Sequence, residues 1–385
     1  SSLFLLIVWI LAQTKSAISA IVSRYYGKEI LKEISSFTLQ SFIINTLAGL
    51  MVLAVISGFS VPILTLYNAE AEVLTFANEY LLIRSLGFPM TLGTMALFGV
   101  FRGIQNTSWA MKISLVGGLI NLVLDFILVN GITNVIPALG VSGAAWASLF
   151  SQMYMFFAAF TYWWFKTPFR KNAIGKLHHE LRVMVKISSD LFVRAGILNI
   201  AYYLGTSTSA LYGEASIAAH TIAMNIWLFS AFFIDGYANA GNAIAGKLLG
   251  AGKLKELSLL TRQLLKSNGL ISVGLSIIYI MLYGVLGKVF TNSQDVLVAF
   301  HGIFWMVILS QPINSVAFTL DGIFKGLGKS AILRNNQIFA TGFAFVPVIL
   351  LTRIFEWKLT GIWIAFLVWM FVRGLYLKIA LNKIT

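Results

Sequence analysis

Long apolar stretches recur along almost the whole of this sequence, and each is about as long as a helix that crosses a bilayer. A membrane-spanning helix needs about 20 mostly apolar residues. Eleven stretches meet this requirement, at residues 2–23, 38–66, 77–100, 111–133, 141–165, 183–212, 215–246, 268–290, 297–324, 335–353 and 359–379. Charged residues make up only 11% of the 385 positions, against roughly 25% in soluble domains. The sequence therefore predicts an all-α polytopic protein whose apolar surface is covered by lipid.

The basic residues between these stretches predict the orientation of the chain. The net charge is +14, and alternate loops carry 22 Lys and Arg residues against 3 in the others. Basic residues concentrate on the cytoplasmic side of membrane proteins, so we expect a cytoplasmic C-terminus and an outer position for Ser1. Because the charge follows topology in this way, we expect no binding of nucleic acid.

An internal repeat joins the two halves of the sequence. Residues 31–40 read LKEISSFTLQ and residues 254–263 read LKELSLLTRQ, with six of the ten positions identical. The same offset of 223 relates Pro89 to Pro312, and it relates the segment 101–103 to 324–326. Six spans separate equivalent points, so both copies face the same way, as in transporters whose halves are related by an axis along the membrane normal.

The repeat also predicts the domain organisation. We expect a first bundle at 1–165, a hydrophilic cytoplasmic linker at 166–182 and a second bundle at 183–385. The first copy has five predicted spans and the second has six, so 11 of 12 spans of two six-helix bundles are present. The partner of the span at 183–212 would lie before Ser1, and we expect about 40 further residues upstream in the native gene.

Asp125 is the strongest candidate for a functional residue, because an ionisable group at membrane depth is a functional-site hypothesis by default. It lies mid-span in NLVLDFIL, with Asn121 one helical turn away on the same face. Two interpretations are open: a group that binds H⁺, or Na⁺ together with Asn121, and a structural carboxyl bonded to a neighbouring helix. Tyr80 either faces the same cavity or belongs to an interfacial aromatic belt. Arg84 lies within a span and is expected to pair with a carboxylate or to reach the headgroups.

Three further carboxylates lie within spans of the second half. Asp190 and Arg194 are four residues apart and are expected to pair on one helix face, as a structural ion pair or gate element, with substrate contact as the alternative. Asp235 lies among small residues in IDGYANAG, in a polar cavity or in a bond between helices. Asp321 is one turn from Lys325 and is expected to extend towards the membrane interface, with a role in transport as its alternative.

Signatures of enzymes and of bound cofactors are missing from the sequence. The chain has no Cys, which excludes thiolate metal sites and thiol nucleophiles. The segments GAGK at 250–253 and GLGKS at 326–330 lack the first glycine of a phosphate-binding loop, because Lys247 and Ile323 occupy its position. We therefore predict a protein that is not an enzyme, uses no cofactor and no structural metal, and draws its energy from an ion gradient.

Several segments resemble the MATE family of multidrug and toxin exporters, and in particular its DinF-like branch. The resemblance covers nearly the whole chain and is most specific in the 36 residues at 218–253. The segments that carry it are FRGIQNTSWAMKISLVGGLINLVLDFILVNG at 101–131, GVSGAAWASLFSQ at 140–152, DLFVRAG at 190–196, AAHTIAMNIWLFSAFFIDGYANAGNAIAGKLLGAGK at 218–253 and LDGIFKG at 320–326.

The resemblance implies twelve helices in two lobes and export driven by H⁺ or Na⁺. It also implies an acidic site in the first lobe, where an Asp and Asn pair maps to Asp125 and Asn121. Tyr80 matches the Tyr of that site, and Ser148 stands at the position of its Thr. The family's Asp on the first helix has no counterpart here.

These observations favour a monomeric, multi-pass secondary exporter that moves amphipathic or cationic organic compounds against H⁺ or Na⁺ by alternating access. A lipid-linked precursor flippase is one alternative, which would need a larger cavity lined by Arg. A channel or a non-transporting scaffold is the other, and a channel would need a continuous polar pore. The expected location is a bacterial inner membrane, or an organellar membrane such as the plastid envelope.

Overall fold

The computed structural model describes residues 7, 11–65, 71–132, 137–170 and 176–383, and helices account for most of them. The first half contains α1 (Thr14–Gly27), a 3₁₀ turn (Leu31–Ile34), α2 (Ser35–Thr65), α3 (Ala71–Ser85), α4 (Phe88–Gly103), α5 (Thr107–Asn130) and α6 (Gly140–Lys166). The second half contains α7 (Glu180–Ala210), α8 (Glu214–Gly250), α9 (Leu254–Met281), α10 (Tyr283–Phe290), α11 (Gln294–Gly326), α12 (Ser330–Ala340), a π-helical turn (Thr341–Phe345), α13 (Val346–Ile354) and α14 (Lys358–Leu381).

Helices occupy the described part of every predicted span. Seven of the described helices are long and apolar enough to cross a membrane, or eight if α3 and α4 form one bent span. The helices α6 and α7 reach 27 and 31 residues but are less apolar, because α6 is rich in Trp, Tyr and Ser and α7 carries charged side chains. Part of the first predicted span lies outside the described residues.

The chain divides into two compact units, Ser1–Ser188 and Ser189–Thr385. The division falls inside α7, a few residues after the linker boundary expected from sequence. In the first unit, α4 is the central element, since it packs against α1, α2 and α6 and buries Phe88, Leu92 and Leu97 completely or nearly so. In the second unit α11 is the central element, since it packs against α8, α9 and α14.

Small residues allow the closest helix contact in the second unit. A Cβ added at Gly322 of α11 would lie 2.1 Å from the carbonyl oxygen of Ala238, and one at Gly326 would lie 2.2 Å from that of Asn242. Glycines four residues apart let two helix backbones approach in this way within membranes. Gly322 and Gly326 thus allow α11 to pack directly against the backbone of α8.

The first unit repeats this contact in the same register. A Cβ at Gly99 of α4 would lie 2.7 Å from the carbonyl oxygen of Lys15 in α1, and one at Gly103 would lie 3.2 Å from that of Ser19. All four positions precede their counterparts in the second unit by 223 residues. Residues that match at the offset of 223 therefore also make equivalent helix contacts in the two units.

Replacing Gly326 with Ala is expected to destabilise the second unit by about 1–3 kcal/mol, because a packed interface without room for a methyl group must shift its backbone. Gly274 in α9 provides the matched control, since nothing lies within 4 Å of a Cβ placed there. Gly274→Ala should stabilise the protein by roughly 0.5–1 kcal/mol through lower backbone entropy in the unfolded chain. Thermal unfolding of both variants in detergent micelles tests this, and equal melting temperatures would contradict the proposed close contact.

Proline accounts for the main irregularities of the first unit. Pro62 lies inside α2, and Phe59 just before it has φ −125° and ψ 19°, outside the helical range. Pro89 lies in the first turn of α4, where α3 and α4 meet at a bend of 43°. Proline removes a backbone donor and clashes with the preceding turn, so both breaks follow from the sequence.

The predicted linker is attached to the end of α1 through Glu180. The Glu180 carboxylate is buried and accepts hydrogen bonds at Oε1 from Arg24 Nη2 at 2.6 Å and from the Tyr25 hydroxyl at 3.2 Å. Burial and the neighbouring Glu180 charge raise the pKa of Tyr25 to about 12, so its phenol stays protonated and remains a donor. The backbone N–H of Glu180 donates to His178 Nδ1 at 3.2 Å.

Candidate functional site

Asn121 and Ser148 lie together in the first unit, where α5 packs against α6. The Asn121 side-chain amide donates to Ser148 Oγ at 3.4 Å. One turn along α6, Ser151 Oγ donates to the carbonyl oxygen of Gly117 at 2.6 Å, and a Cβ at Gly117 would meet the Met155 side chain at 2.6 Å. The small residue at 117 thus lets α5 approach α6 closely enough for Asn121 to reach Ser148.

Asp125 is half-buried on the same helix, one turn beyond Asn121. Its Oδ1 atom is buried and has no hydrogen-bond partner among the described residues. A buried polar atom without a partner is unfavourable and calls for an explanation, such as an unseen ion or a functional role. Asp125 therefore offers an oxygen at membrane depth that can accept a proton or contribute to a cation site.

Arg84 connects Asp125 with Tyr80. Its side chain is buried near the end of α3, where it interacts electrostatically with the side chains of Asp125 and Tyr80. The sequence predicted that Arg84 pairs with a carboxylate or reaches the headgroups, and both stay predictions. The sequence did not place Arg84 in the same cluster as Asp125, because the two residues are 41 positions apart and on different helices.

The predicted pair of Asp190 with Arg194 is wrong. Asp190 is buried and receives Arg334 Nη1 at 2.6 Å on Oδ1 and Ser330 Oγ at 2.7 Å on Oδ2. Arg194 instead pairs through Nη2 with Asp321 Oδ1 at 2.5 Å. A pair on one exposed helix face contributes only a few tenths of a kcal/mol, so the buried Asp321 on α11 and the half-buried Arg334 on α12 compete successfully as partners.

Asp321 does not extend towards the membrane interface as expected. Its side chain is buried, and its second oxygen, Oδ2, lies 2.7 Å from the Nζ atom of Lys325. The proximity to Lys325 was predicted, but the second partner, Arg194, was not. Asp321 consequently ties α7 to α11.

Asp235 forms a hydrogen bond within its own helix. The side-chain amide of Asn239 donates to Asp235 Oδ2 at 2.9 Å, within α8 itself. No hydrogen bond from Asp235 to another helix occurs among the described residues. Its carboxylate is half-buried, so the role of this residue stays a prediction.

A cavity of about 700 Å³ lies where the linker joins α7, and none of the predicted site residues lines it. It is lined by Leu177, His178, His179, Leu181, Arg182 and Val185.

Comparisons with known proteins agree with the resemblance seen in the sequence. The chain is 27% identical over 306 residues to Protein DETOXIFICATION 43 of Arabidopsis thaliana, covering 80% of the chain and 56% of that relative. It is 26% identical over 397 residues to DNA damage-inducible protein F of Escherichia coli K12, covering 98% of the chain and 80% of the relative. The chain thus spans only about half the length of DETOXIFICATION 43.

Solved structures show the same fold. A crystal structure of a MATE protein in complex with MaL6 matches 99% of the chain and 87% of its own chain, with a TM-score of 0.89 at 19% identity. The Vibrio cholerae MATE transporter VcmN in its bent form matches 99% and 85%, with a TM-score of 0.87 at 18% identity. The predicted all-α fold of two helical bundles is confirmed.

The family model named MatE matches residues 1–127 and 195–351. These two segments include Tyr80, Asn121 and Asp125 of the first unit, but not Ser148, and most of α8 to α13 in the second. Family members are membrane transporters and not enzymes, as expected from the missing catalytic motifs. The extent of the match shows that this multi-pass membrane chain belongs to the MatE family.

Proposed function

We propose that this protein is a secondary active exporter that moves amphipathic or cationic organic compounds against a gradient of H⁺ or Na⁺. The observation that carries this proposal is the Asp125 carboxylate, which lies at membrane depth with a buried oxygen that has no hydrogen-bond partner among the described residues. Intramembrane carboxylates of this kind mark ion pathways and proton relays. We further propose that the protein is a monomer with a cytoplasmic C-terminus, in a bacterial inner membrane or in an organellar membrane such as the plastid envelope.

The neighbours of Asp125 define what it could bind. Protonation at Oδ1 would neutralise the carboxylate, while Na⁺ would take oxygen ligands from Asp125 and from the side chains of Asn121 and Ser148, which already lie within hydrogen-bond distance of each other. Arg84 supplies a neighbouring positive charge when no coupling ion is bound. Binding and release of the ion would therefore change the charge balance between α3 and α5, and this change would be coupled to the movement of cargo.

The alternative functions receive less support. A flippase with a cavity lined by Arg would need several guanidinium groups that face a cavity within the spans, but Arg194 is paired with Asp321 and Arg373 is buried.

An ion-flux assay tests the proposal. The purified chain is reconstituted into liposomes that contain a pH-sensitive or Na⁺-sensitive dye, and an ion gradient is imposed. Addition of a transported amphipathic compound should accelerate dissipation of one gradient, and the dye that responds identifies the coupling ion. If a broad panel of amphipathic compounds changed neither signal, antiport by this chain would be ruled out. A steady ion leak that does not depend on the added compound would favour a channel.

A further inference from the structure

The cavity of about 700 Å³ at the start of α7 combines a cationic side chain with exposed aliphatic ones. Leu177 and Val185 are 83% and 55% exposed, and both line the cavity together with Arg182. The remaining lining residues are His178, His179 and Leu181, and all six belong to the first unit. A cavity with this lining suits an amphipathic ligand that carries negative charge.

Hydrogen bonds of His178 hold the linker side of the cavity in place. The backbone N–H of His178 donates to Gln40 Oε1 at 2.9 Å, and Gln40 Nε2 donates to the carbonyl oxygen of Lys176 at 2.9 Å. His178 Nδ1 accepts from the backbone N–H of Glu180 at 3.2 Å, so Nε2 carries the proton and donates to the carbonyl oxygen of Glu33 at 3.2 Å. Burial lowers the pKa of His178, which favours this neutral form. The cavity wall is therefore preformed, and His178 is not available to bind a ligand.

Arg182 supplies the cavity with a positive charge that has no counter-ion. Its side chain is exposed and forms no ion pair with a carboxylate among the described residues. The carboxylate of the neighbouring Glu180 is buried and already bound to Arg24 at 2.6 Å. Lys176 and Lys186, on either side of the cavity segment in the sequence, are also exposed and form no such pair in the described part of the chain. The charge of this region is therefore complementary to an anion.

The aliphatic part of the lining continues along α7 into its span. The helix begins at Glu180 and the predicted span at residue 183, so the cavity lies where α7 enters the membrane. Val185, Val193 and Ile200 are 47–55% exposed and fall within about 80° of one another around the helix. They extend over about 22 Å, more than the roughly 15 Å of hydrocarbon in one leaflet. An acyl chain can therefore lie along this face while its headgroup remains at the cavity.

We propose that this cavity binds the headgroup of an anionic phospholipid, with Arg182 holding the phosphate and Leu177 and Val185 contacting the acyl chains. A guanidinium presents paired N–H donors that match phosphate oxygens. The charge pattern assigns the linker to the cytoplasmic side, where membranes carry anionic lipid that basic pockets recognise. A soluble phosphate compound would use Arg182 but would leave the exposed aliphatic side chains uncovered. The lipid site goes beyond the proposed export function and does not depend on it.

A lipid titration tests this site without requiring transport. The full chain is purified in an uncharged detergent and titrated with dioleoyl phosphatidylglycerol, with dioleoyl phosphatidylcholine and with glycerol 3-phosphate. Native mass spectrometry counts the bound lipid, and thermal unfolding measures the stabilisation that a ligand of the folded state confers. We expect phosphatidylglycerol to bind first as a single molecule and to raise the melting temperature. The zwitterionic lipid and the soluble headgroup should have little effect at the same concentration.

Variants identify the residues responsible. Arg182→Gln should weaken the binding of phosphatidylglycerol about five-fold, as expected for one basic residue at an anionic lipid. Leu177→Ser should weaken it about three-fold or more, because contact between the lipid and an aliphatic side chain is lost. The exposed Arg262 of α9 provides the control. Arg262→Gln removes the same charge elsewhere and should bind the lipid as the unaltered protein does.

Three results would overturn the proposal. Equal affinity for phosphatidylglycerol and phosphatidylcholine would show that the headgroup charge is not recognised. An equal response to glycerol 3-phosphate would assign the cavity to soluble phosphate compounds instead of lipid. Equal losses in Arg182→Gln and Arg262→Gln would show that the lipid is attracted only by the overall positive charge. If Arg182→Gln failed to fold, unchanged affinity in Leu177→Ser would count against the site in its place.

Discussion

Replacing Asp125 with Asn is expected to abolish ion-driven export while leaving the protein folded. The amide has nearly the same size as the carboxylate, so the packing of α5 against α6 should persist. It cannot, however, take up a proton at neutral pH or provide a negative charge for Na⁺. Because Asp125 Oδ1 has no hydrogen-bond partner among the described residues, the substitution breaks no such bond at that atom. Export driven by an imposed gradient should fall to the rate of protein-free liposomes.

The control for this prediction is Asp295→Asn. Asp295 lies in the first turn of α11 and is exposed, so the same chemical change there should leave transport unaltered. Both variants should elute as single species on size-exclusion chromatography and melt within a few degrees of the unaltered protein. Export by Asp125→Asn at the rate of Asp295→Asn would assign Asp125 a purely structural role.

Much of this fold was predictable because membrane helices are encoded locally. Each span can be located from a continuous apolar run in the sequence. The tandem repeat can be recognised from residues that match at a single offset of 223. The repeat proves to have a packing basis, since Gly99 and Gly103 meet the backbone of α1 in the register in which Gly322 and Gly326 meet that of α8. Because close backbone contact requires glycine at these positions, both copies of the repeat carry glycine there.

The pairing of charged side chains was less predictable. Spacing along one helix suggested a bond between Asp190 and Arg194, but each residue found a partner more than 120 positions away in the chain. Partner choice depends on which helix faces meet, and apolar periodicity is too uniform in a membrane protein to show this. The same reason explains why Arg84 was not placed beside Asp125, whereas the contact of Asn121 with Ser148 followed from residues that the family resemblance had singled out.

Replacing Asp321 with Asn is expected to cause the largest loss of stability among single substitutions of these polar residues, about 3–5 kcal/mol, because it leaves buried cations without their partner. Asp321 is the shared counter-ion of Arg194 and Lys325 and lies close to Arg373. The amide retains the shape but removes the charge, so three largely buried cations would then repel one another. Thermal or denaturant unfolding in micelles measures the effect.

A second carboxylate in an ion pair supplies the comparison. Glu256 pairs with Lys253 at 2.9 Å, but both side chains are more than half exposed, and exposed pairs contribute only about 0–1 kcal/mol. Glu256→Gln should therefore leave the melting temperature almost unchanged. If the loss in Asp321→Asn arises from unpaired charge rather than from altered packing, adding Arg194→Met should recover part of it, since one of the orphaned cations is then removed. A double variant as unstable as the sum of the two single variants would contradict this electrostatic explanation, because independent effects add and coupled charges do not.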